Sequence, residues 1–192
     1  LLQCGVQTRV EIADFENWRA VAEGAARIMR EGEVVALPTE TVYGLGAVAF
    51  DPEAVAGVFE AKDRPSFDPL IVHIAGIRDL GRVAVVPAEV EDIVRQLAKA
   101  FWPGPLTMVL PKHEDVPDLV TSGLSTVAVR VSKHEVMRYL TRELGPIAAP
   151  SANRFGRISP TSAGAVLREL DGRIPLVVDG GACSDGLEST II

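Results

Sequence analysis

The fold of this chain is constrained most by an alternation of short apolar runs with stretches of helical periodicity. The run 34–37 is rich in β-branched residues and is stopped by Pro38, a pattern typical of a short buried strand. Before it, apolar residues recur at helical spacing over 15–29, where we expect Asp14 to cap the helix and Gly32 to end it. The alternation indicates an α/β fold from the start of the chain.

The same alternation continues along the rest of the sequence. Asp51-Pro52 combines an N-cap residue with proline at the first helical position, which predicts a helix running to Lys62. The further predicted helices are 88–101, 134–144 and 161–170, the further predicted strands are 70–74, 106–110, 126–131, 146–149, 175–178 and 188–192, and 39–46 is predicted to be a loop. Together these elements predict an α/β sheet covered by helices, and the short connection between strands 106–110 and 126–131 predicts that part of it is antiparallel.

Length and composition bound the class of protein. With 192 residues and 47% hydrophobic residues, the chain fits one domain covering 1–192 with a sizeable core. The longest apolar runs are far shorter than the roughly 20 residues that a membrane helix needs. No export signal is visible at the start, so we expect a soluble, cytoplasmic protein without membrane contact. Cys4 and Cys183 are predicted to be reduced thiols.

The charge balance limits the partners. The formal net charge is −7, whereas a dedicated nucleic-acid surface needs an excess of Lys and Arg to neutralise phosphates. We therefore expect any contact with RNA to be weak, local or indirect.

Common signatures of nucleotide, metal and nucleophile sites are missing from the sequence. There is no Gly-x-x-x-x-Gly-Lys-Ser/Thr loop, and the Gly-Leu-Gly at 44–46 lacks the third glycine of a dinucleotide fingerprint. His73, His113 and His134 show no metal-ligand spacing, so we predict no metal held by protein side chains. Ser151 lies in Pro-Ser-Ala-Asn and not in the Gly-x-Ser-x-Gly of a nucleophile elbow.

Polar clusters lie just before or after several predicted strands, where open α/β sheets usually bind ligands. The clusters are Thr39-Glu40-Thr41, Lys62 with Arg64, Ser151 with Asn153, and Asp179-Gly180-Gly181. Taken one at a time, the Lys-x-Arg pair is more often a solvated pair at a helix end, and the Thr and Ser-x-Asn loops are more often caps and turns. The Phe-Trp-Pro-Gly-Pro segment at 101–105 is by default a rigid apolar turn, with pocket lining as the alternative.

In their order along the chain, these segments resemble a known family. The matching blocks are LPTETVYGLG at 37–46, Lys-x-Arg-Pro at 62–65, PLIVHI at 69–74, FWPGPLT at 101–107, AVRV at 128–131, PSAN at 150–153 and GLEST at 186–190. Together they are similar to the YrdC-like threonylcarbamoyl-AMP synthases. The match extends over almost the whole chain, and an ordered set of blocks is far more specific than any single short motif.

The resemblance implies a fold and an activity. The implied fold is a twisted, open mixed sheet flanked by helices, of the YrdC-like or DHBP synthase-like kind, around a large concave pocket. The implied enzyme is a nucleotidyltransferase that combines L-threonine, bicarbonate and ATP into threonylcarbamoyl-AMP and pyrophosphate, with Mg²⁺ accompanying ATP. A partner transferase complex then passes the threonylcarbamoyl group to an adenosine of tRNA.

The resemblance also implies site residues, with Lys62 and Arg64 as catalytic contacts of the triphosphate. The implied ATP-binding residues are Lys62, Arg64, Asp68, Thr126, Ser151, Asn153 and Thr161, and the implied threonine-binding residues are Thr39, Thr41, His73, Arg130, Ser151 and Ser189. A carboxylate calls for Arg130 as a bidentate partner. Asp68 stands where many relatives carry Asn, and it would repel phosphates unless magnesium or Arg64 intervened. His73 is either a base or a neutral hydrogen-bonding partner of the substrate.

The implied mechanism is positional and electrostatic, because the sequence offers no obvious covalent nucleophile. A carbamate formed from threonine and bicarbonate attacks the α-phosphorus of ATP while magnesium stabilises the leaving pyrophosphate. In the family the Glu-Ser-Thr strand continues into further sheet and a later basic residue, whereas this sequence stops at Ile192. We therefore expect a domain truncated at its C-terminal end, and weaker ATP binding if that segment is missing.

Two alternatives stay open. YrdC-like modules also occur in carbamoyltransferases that mature hydrogenases, although the acylphosphatase-like and zinc-finger segments of those proteins are not visible in this sequence. A non-catalytic RNA-binding module would be expected to show a basic face, which the net charge of −7 disfavours.

Overall fold

A mixed sheet organises the part of the chain that the computed structural model describes, residues 6–192, and within those residues it has nine strands. The strands are β1 (Arg9–Ile12), β2 (Val35–Leu37), β3 (Gly44–Val48), β4 (Ile71–His73), β5 (Leu106–Pro111), β6 (Thr126–Arg130), β7 (Ile147–Ala148), β8 (Leu176–Asp179) and β9 (Thr190–Ile191). The helices are α1 (Trp18–Arg30), α2 (Pro52–Lys62), α3 (Glu91–Phe101), α4 (Asp118–Thr121), α5 (Glu135–Leu144) and α6 (Ala163–Leu170), with 3-10 turns at Ile77–Arg82 and Ala88–Val90.

The strand order is β1-β8-β2-β3-β7-β4-β6-β5-β9. The pairs β1–β8, β2–β8, β4–β6 and β5–β9 are parallel, and β2–β3, β3–β7, β4–β7 and β5–β6 are antiparallel. The predicted open mixed sheet flanked by helices is therefore confirmed, as is the antiparallel pairing of the strands near 106–110 and 126–131.

The prediction that 39–46 forms one loop is wrong, because its last residues begin β3 in the middle of the sheet. The two glycines that indicate a turn are required here by packing. A Cβ on Gly46 would lie 2.8 Å from Leu37 Cδ1, and one on Gly44 would lie 3.3 Å from the Cβ of Ala149. Strand β1 was not predicted either, since its charged and exposed residues lack the apolar pattern of a buried strand.

The helix boundaries follow the sequence signals with one exception. Asp51 caps α2, since its side chain accepts hydrogen bonds from the backbone N–H groups of Glu53 and Ala54, and this prediction is confirmed. Gly32 follows the end of α1 with φ +86°, as predicted. Asp14 does not cap α1, because it accepts N–H groups of a preceding turn and the helix begins only at Trp18.

The two faces of the sheet are covered differently. One face packs against helices α2, α3, α4 and α6 through apolar residues from most strands. The other face packs against α1 and α5 and forms a second apolar cluster with them. Only part of the sheet contributes to this cluster, namely β2, β8 and β7 with the residue after it. The sheet residues of this second cluster are Val35, Leu37, Ile147, Ala149, Leu176 and Val178. We call this part the covered half of the face.

The same face continues across β4, β6 and β5, which contribute no residue to this second apolar cluster. The register places His73 beside Ile147 and beside Arg130, so these three side chains share the face. Further along it, Ile71, Thr126 and Ala128 are only partly buried, and Val109, which is paired with Ala128, is 41% exposed. We call this part the open half of the face.

None of the helices within residues 6–192 combines the length and the apolar character that crossing a lipid bilayer requires. Cys183 is a free, half-buried thiol, and Cys4 lies outside the described residues.

Candidate functional site

The loop between β2 and β3 is built around the hydroxyl of Thr39. Thr39 Oγ1 accepts hydrogen bonds from the backbone N–H groups of Thr41 (3.1 Å) and Val42 (3.2 Å) and donates to Val42 O (2.6 Å). A hydroxyl has one proton, so in the 3.0 Å contact between Thr39 Oγ1 and Thr41 Oγ1 the donor is Thr41. Both side chains are buried, and the loop holds Thr41 in one orientation.

Arg130, at the end of β6, extends over the open half and contacts this loop. Its Nη1 donates to Thr41 Oγ1 (2.7 Å), its Nη2 to Glu40 Oε1 (2.7 Å) and its Nε to Gly104 O (3.2 Å). A guanidinium has five N–H groups, and three are used, so two remain, one on each terminal nitrogen. Two N–H donors are what a bidentate carboxylate partner needs.

Glu40 belongs to a polar cluster that the sequence analysis identified, but no role was assigned to it there. Its buried carboxylate accepts from Arg130 and, through Oε2, from the Ser132 hydroxyl and from Lys133 N (3.2 Å). Burial alone would raise the pKa of Glu40, but the Arg130 charge and these hydrogen bonds outweigh burial, so the pKa lies below its ordinary value and the group is ionised. The signal in the sequence was an acid between two threonines directly after a buried strand.

His73 lies next to Arg130 on the neighbouring strand. Burial, and then the Arg130 charge, lower the pKa of His73 to about 3, so the imidazole is neutral at physiological pH. Its Nδ1 is buried and has no hydrogen-bond partner among the described residues. A group with this pKa is a poor proton acceptor, and the geometry therefore favours the interpretation of His73 as a neutral hydrogen-bonding residue over that of a base.

Ser189, just before β9, completes this side of the site. Its Oγ lies 2.7 Å from Thr107 Oγ1, and both side chains are buried. Thr107 is the cross-strand neighbour of Arg130, so the hydroxyl pair lies beside the guanidinium. We call Thr41, His73, Thr107, Arg130 and Ser189 the hydroxyl–arginine cluster; Thr107 was not among the predicted site residues.

Lys62 and Arg64 mark a second cluster, at the end of α2. The Lys62 side chain is almost fully buried, and its Nζ donates to the backbone carbonyls of Ser151 and Asn153. Burial, followed by the nearby Arg64 charge, lowers the pKa of Lys62 to about 7. An ammonium has three N–H groups, so one donor of Lys62 is left for a ligand.

Arg64 is held by the residues just before β4. Its Nε donates to Asp68 O (3.1 Å), and its Nη2 donates to Pro69 O (2.9 Å) and pairs with Asp68 Oδ2 (2.9 Å). Burial lowers the pKa of Arg64, which the Asp68 charge partly offsets. The repulsion that a carboxylate at position 68 would exert on phosphates is therefore reduced by Arg64 itself.

The loop after β7 supplies the remaining polar groups of this cluster. Asn153 is buried, and its Nδ2 donates to Arg154 O (2.9 Å) and Arg157 O (2.7 Å), which leaves Oδ1 buried without a partner among the described residues. Ser151 bridges to Gly44 at the start of β3. We call Lys62, Arg64, Asp68, Ser151 and Asn153 the lysine–arginine cluster.

The two clusters are separated along one pair of strands. Asp68 precedes β4 and Thr126 begins β6, whereas His73 and Arg130 end those strands. Four residue steps along β6 correspond to about 13 Å. Thr161 lies apart from both clusters in the contacts seen, lining a cleft of about 530 Å³ with Arg157 and Arg168.

Among residues 6–192 there is no group of three or more His, Cys, Asp or Glu side chains that could hold a metal ion. The fold and the two clusters define an open α/β domain that can bind two polar ligands, one at the hydroxyl–arginine cluster and one at the lysine–arginine cluster.

Comparison with known proteins places this domain in a family. Residues 27–192 match the Sua5/YciO/YrdC family model, which carries the description telomere recombination. The chain belongs to the Sua5/YciO/YrdC family.

Individual relatives are similar over nearly all of this chain. It is 52% identical over 179 residues to the threonylcarbamoyl-AMP synthase of Pyrococcus abyssi, covering 93% of this chain and 51% of the relative. It is 51% identical over 170 residues to the threonylcarbamoyl-AMP synthase of Bacillus subtilis, covering 88% and 48%. The crystal structure of P. abyssi Sua5 complexed with L-threonine superimposes with a TM-score of 0.87 at 50% identity, covering 96% of this chain and 53% of that one. The chain thus spans about half the length of the curated relatives it matches.

Proposed function

We propose that this chain binds L-threonine at the hydroxyl–arginine cluster and ATP at the lysine–arginine cluster and, with bicarbonate, makes threonylcarbamoyl-AMP and pyrophosphate. The observation that carries the proposal is the arrangement of the two clusters. An arginine with two free N–H donors lies among hydroxyls at one end of β4 and β6, and a buried lysine and a partly buried arginine lie towards the other end.

The hydroxyl–arginine cluster has the chemistry that threonine requires. The two free N–H groups of Arg130 suit the threonine carboxylate, and neutral His73 with the Thr107–Ser189 pair offers donors and acceptors to its hydroxyl. His73 Nδ1 would find in the ligand the partner that it lacks within the protein. The threonine complex of P. abyssi Sua5 supports the choice of amino acid.

The lysine–arginine cluster has the chemistry that a triphosphate requires. Lys62 keeps one free N–H group, and Arg64 keeps the N–H groups of Nη1. Both side chains are largely shielded from water, which strengthens the attraction of their charges to phosphate. Asn153 Oδ1 is a buried acceptor that suits a donor on the nucleotide. We also assign Thr126 and Thr161 to the nucleotide, although neither forms a hydrogen bond with this cluster among the described residues.

The reaction needs positioning rather than a protein nucleophile. The threonine amine and bicarbonate form a carbamate with loss of water; a carbamate oxygen then bonds to the α-phosphorus of ATP as the bond to pyrophosphate breaks. Lys62 and Arg64 would stabilise the charge that develops on the leaving pyrophosphate. Holding both substrates on one partly desolvated face favours bond formation and limits loss of carbon dioxide from the carbamate.

Magnesium is proposed as part of the substrate, carried by the ATP phosphates. Mg²⁺ usually keeps several waters and takes one or two carboxylates besides phosphate oxygens. The carboxylate of the lysine–arginine cluster, Asp68, already pairs with Arg64 (2.9 Å), so phosphate oxygens and water would supply most ligands of the ion.

We further propose that the product passes to a transferase complex that modifies an adenosine of tRNA, in the cytoplasm. The net charge of −7 supports only weak or indirect tRNA contact by this chain.

The proposal is tested by measuring pyrophosphate release from ATP with L-threonine and bicarbonate added separately and together. Release should require both, and serine should react more slowly, because one lost methyl contact costs roughly 1 kcal/mol. Release that ignores threonine or bicarbonate, or equal turnover of all small amino acids, would refute the assignment.

A further inference from the structure

We propose that Glu40 is a positioning and specificity-determining residue, which fixes the Arg130 guanidinium and balances its charge so that the site selects zwitterionic amino acids over singly charged ligands. The inference rests on the proposed function in taking Arg130 as the partner of an amino-acid carboxylate.

The contacts of Glu40 exclude a direct role in the reaction. Its side chain is 2% exposed, and its two oxygens are occupied by Arg130 Nη2, the Ser132 hydroxyl and Lys133 N. A carboxylate held in this way faces the protein and not a ligand on the open half. Its effect on the ligand is exerted through the orientation and the charge of Arg130.

The orientation of Arg130 is determined by three acceptors on two separate segments, the β2–β3 loop and the turn before β5. Glu40 and Thr41 hold the two terminal nitrogens and Gly104 O holds Nε, so the planar group cannot rotate about its long side chain. The two remaining N–H groups are therefore fixed before a ligand arrives. A pre-oriented donor pair loses less entropy on binding than a mobile one.

The Arg130–Glu40 pair carries no net charge. Arg130 and Glu40 carry opposite charges, with side chains 4% and 2% exposed. The neighbouring His73 is neutral because burial lowers its pKa to about 3, and burial also lowers the pKa of His134. Lys133 points its exposed ammonium towards Asp185, 3.7 Å away.

A neutral, partly desolvated site favours a ligand that is itself neutral overall but carries both charges. A free amino acid meets this condition, because its carboxylate can pair with Arg130 while its ammonium benefits from the negative charge of Glu40. A ligand that has a carboxylate but no ammonium would give the occupied site a net negative charge. A ligand that has an ammonium but no carboxylate would offer no partner to the two free N–H groups of Arg130.

The test measures the affinities of three matched ligands by calorimetric titration at pH 6.5. The ligands are L-threonine, (R)-3-hydroxybutanoate, which lacks the amine, and L-threonine amide, which lacks the carboxylate charge. The unaltered protein should bind L-threonine at least about tenfold more tightly than either analogue. Glu40→Gln keeps the size of the side chain but removes its charge. In this variant the affinity for (R)-3-hydroxybutanoate should rise and the affinity for L-threonine amide should fall. The ratio of these two affinities should change by about tenfold or more.

A matched control is Glu143→Gln, which removes the same charge from a surface pair with Arg30 and should leave all three affinities unchanged. Equal weakening of all three ligands in a folded Glu40→Gln protein would show a merely structural role and overturn the inference. If Glu40→Gln does not fold, Glu40→Asp keeps the charge and should keep the ligand ratio while weakening every ligand.

The affinities of the unaltered protein test the inference independently of any variant. Binding of the anion as tight as that of L-threonine would refute the charge balance. Absence of L-threonine binding would instead refute the proposed function and this inference with it, whereas threonine binding with an unchanged ratio in Glu40→Gln overturns the role of Glu40 alone.

Discussion

One face of the sheet packs against α1 and α5 in its covered half, whereas its open half contributes no residue to that apolar cluster. In the covered half, Leu37 and Ile147 are fully buried beneath α1 and α5, and Gly46 leaves room for them. In the open half, the same face carries Arg130 and His73, whose polar atoms are only partly satisfied by the protein.

The comparison shows how the chain separates stability from ligand binding. Four buried side-chain atoms have no hydrogen-bond partner within the described part of the chain, and two of them, His73 Nδ1 and Asn153 Oδ1, belong to the candidate site. An unpaired buried polar group costs about 1–3 kcal/mol, so the open half lowers stability until a ligand fills it. The covered half offsets that cost by apolar burial.

The largest effect is expected for Arg130→Ala in the open half. Threonine affinity should fall by roughly 2–5 kcal/mol, and the unpaired Glu40 should lower the free energy of unfolding by about 3–5 kcal/mol. Calorimetric titration and denaturant unfolding measure the two losses. The double variant Glu40→Gln/Arg130→Gln removes both charges and should recover stability without recovering threonine binding. Unchanged threonine affinity in Arg130→Ala would refute its assigned role.

In the lysine–arginine cluster, Lys62→Ala and Arg64→Ala should each reduce turnover by about 100- to 1,000-fold, because each removes a partly desolvated cation facing the leaving pyrophosphate. Threonine binding measured without nucleotide should survive. Arg95→Ala, which breaks an exposed pair with Glu91, is the control and should leave kinetics unchanged. Normal turnover in both variants would contradict the proposed phosphate site.

A matched pair of isoleucines compares the two halves directly. Ile147→Ala, in the covered half, should cost about 2–5 kcal/mol of unfolding free energy, because it leaves a cavity beneath α1 and α5. Ile71→Ala, on the same face but only partly buried, should cost about half of that or less. Chemical denaturation of both variants gives the difference. Equal losses would show that the open half is covered in solution.

The smallest effect is a pH dependence of ATP affinity. Because the pKa of Lys62 is about 7, raising the pH from 7 to 8 removes its proton, and ATP affinity should fall about fivefold. The ATP phosphates also lose a proton as the pH rises, and their larger negative charge should by itself raise ATP affinity. Lys62→Met has no titrating group and provides the reference profile. Identical profiles for the two proteins would show that Lys62 does not carry the dependence.

Much of the fold was predictable because the signals are local. The proline after β2, the Asp-Pro start of α2 and the apolar periodicities each depend on residues close in sequence, and they determined most strands and helices. Local signals failed at β3, where glycine indicates a turn but serves close packing against Leu37. They also failed at β1, whose stability depends on pairing with β8, far along the chain.

The sequence by itself determined the alternating α/β pattern and the ordered polar blocks, including Lys62, Arg64 and Arg130. Both features depend only on the order of residues along the chain. Only the tertiary structure decided which side chains meet. Glu40 and Arg130 are separated by 90 positions and pair at 2.7 Å, and Lys62 donates to carbonyls of the loop after β7. The physical reason is that charge pairing and desolvation depend on distance in space, which strand order and register set and no local pattern records.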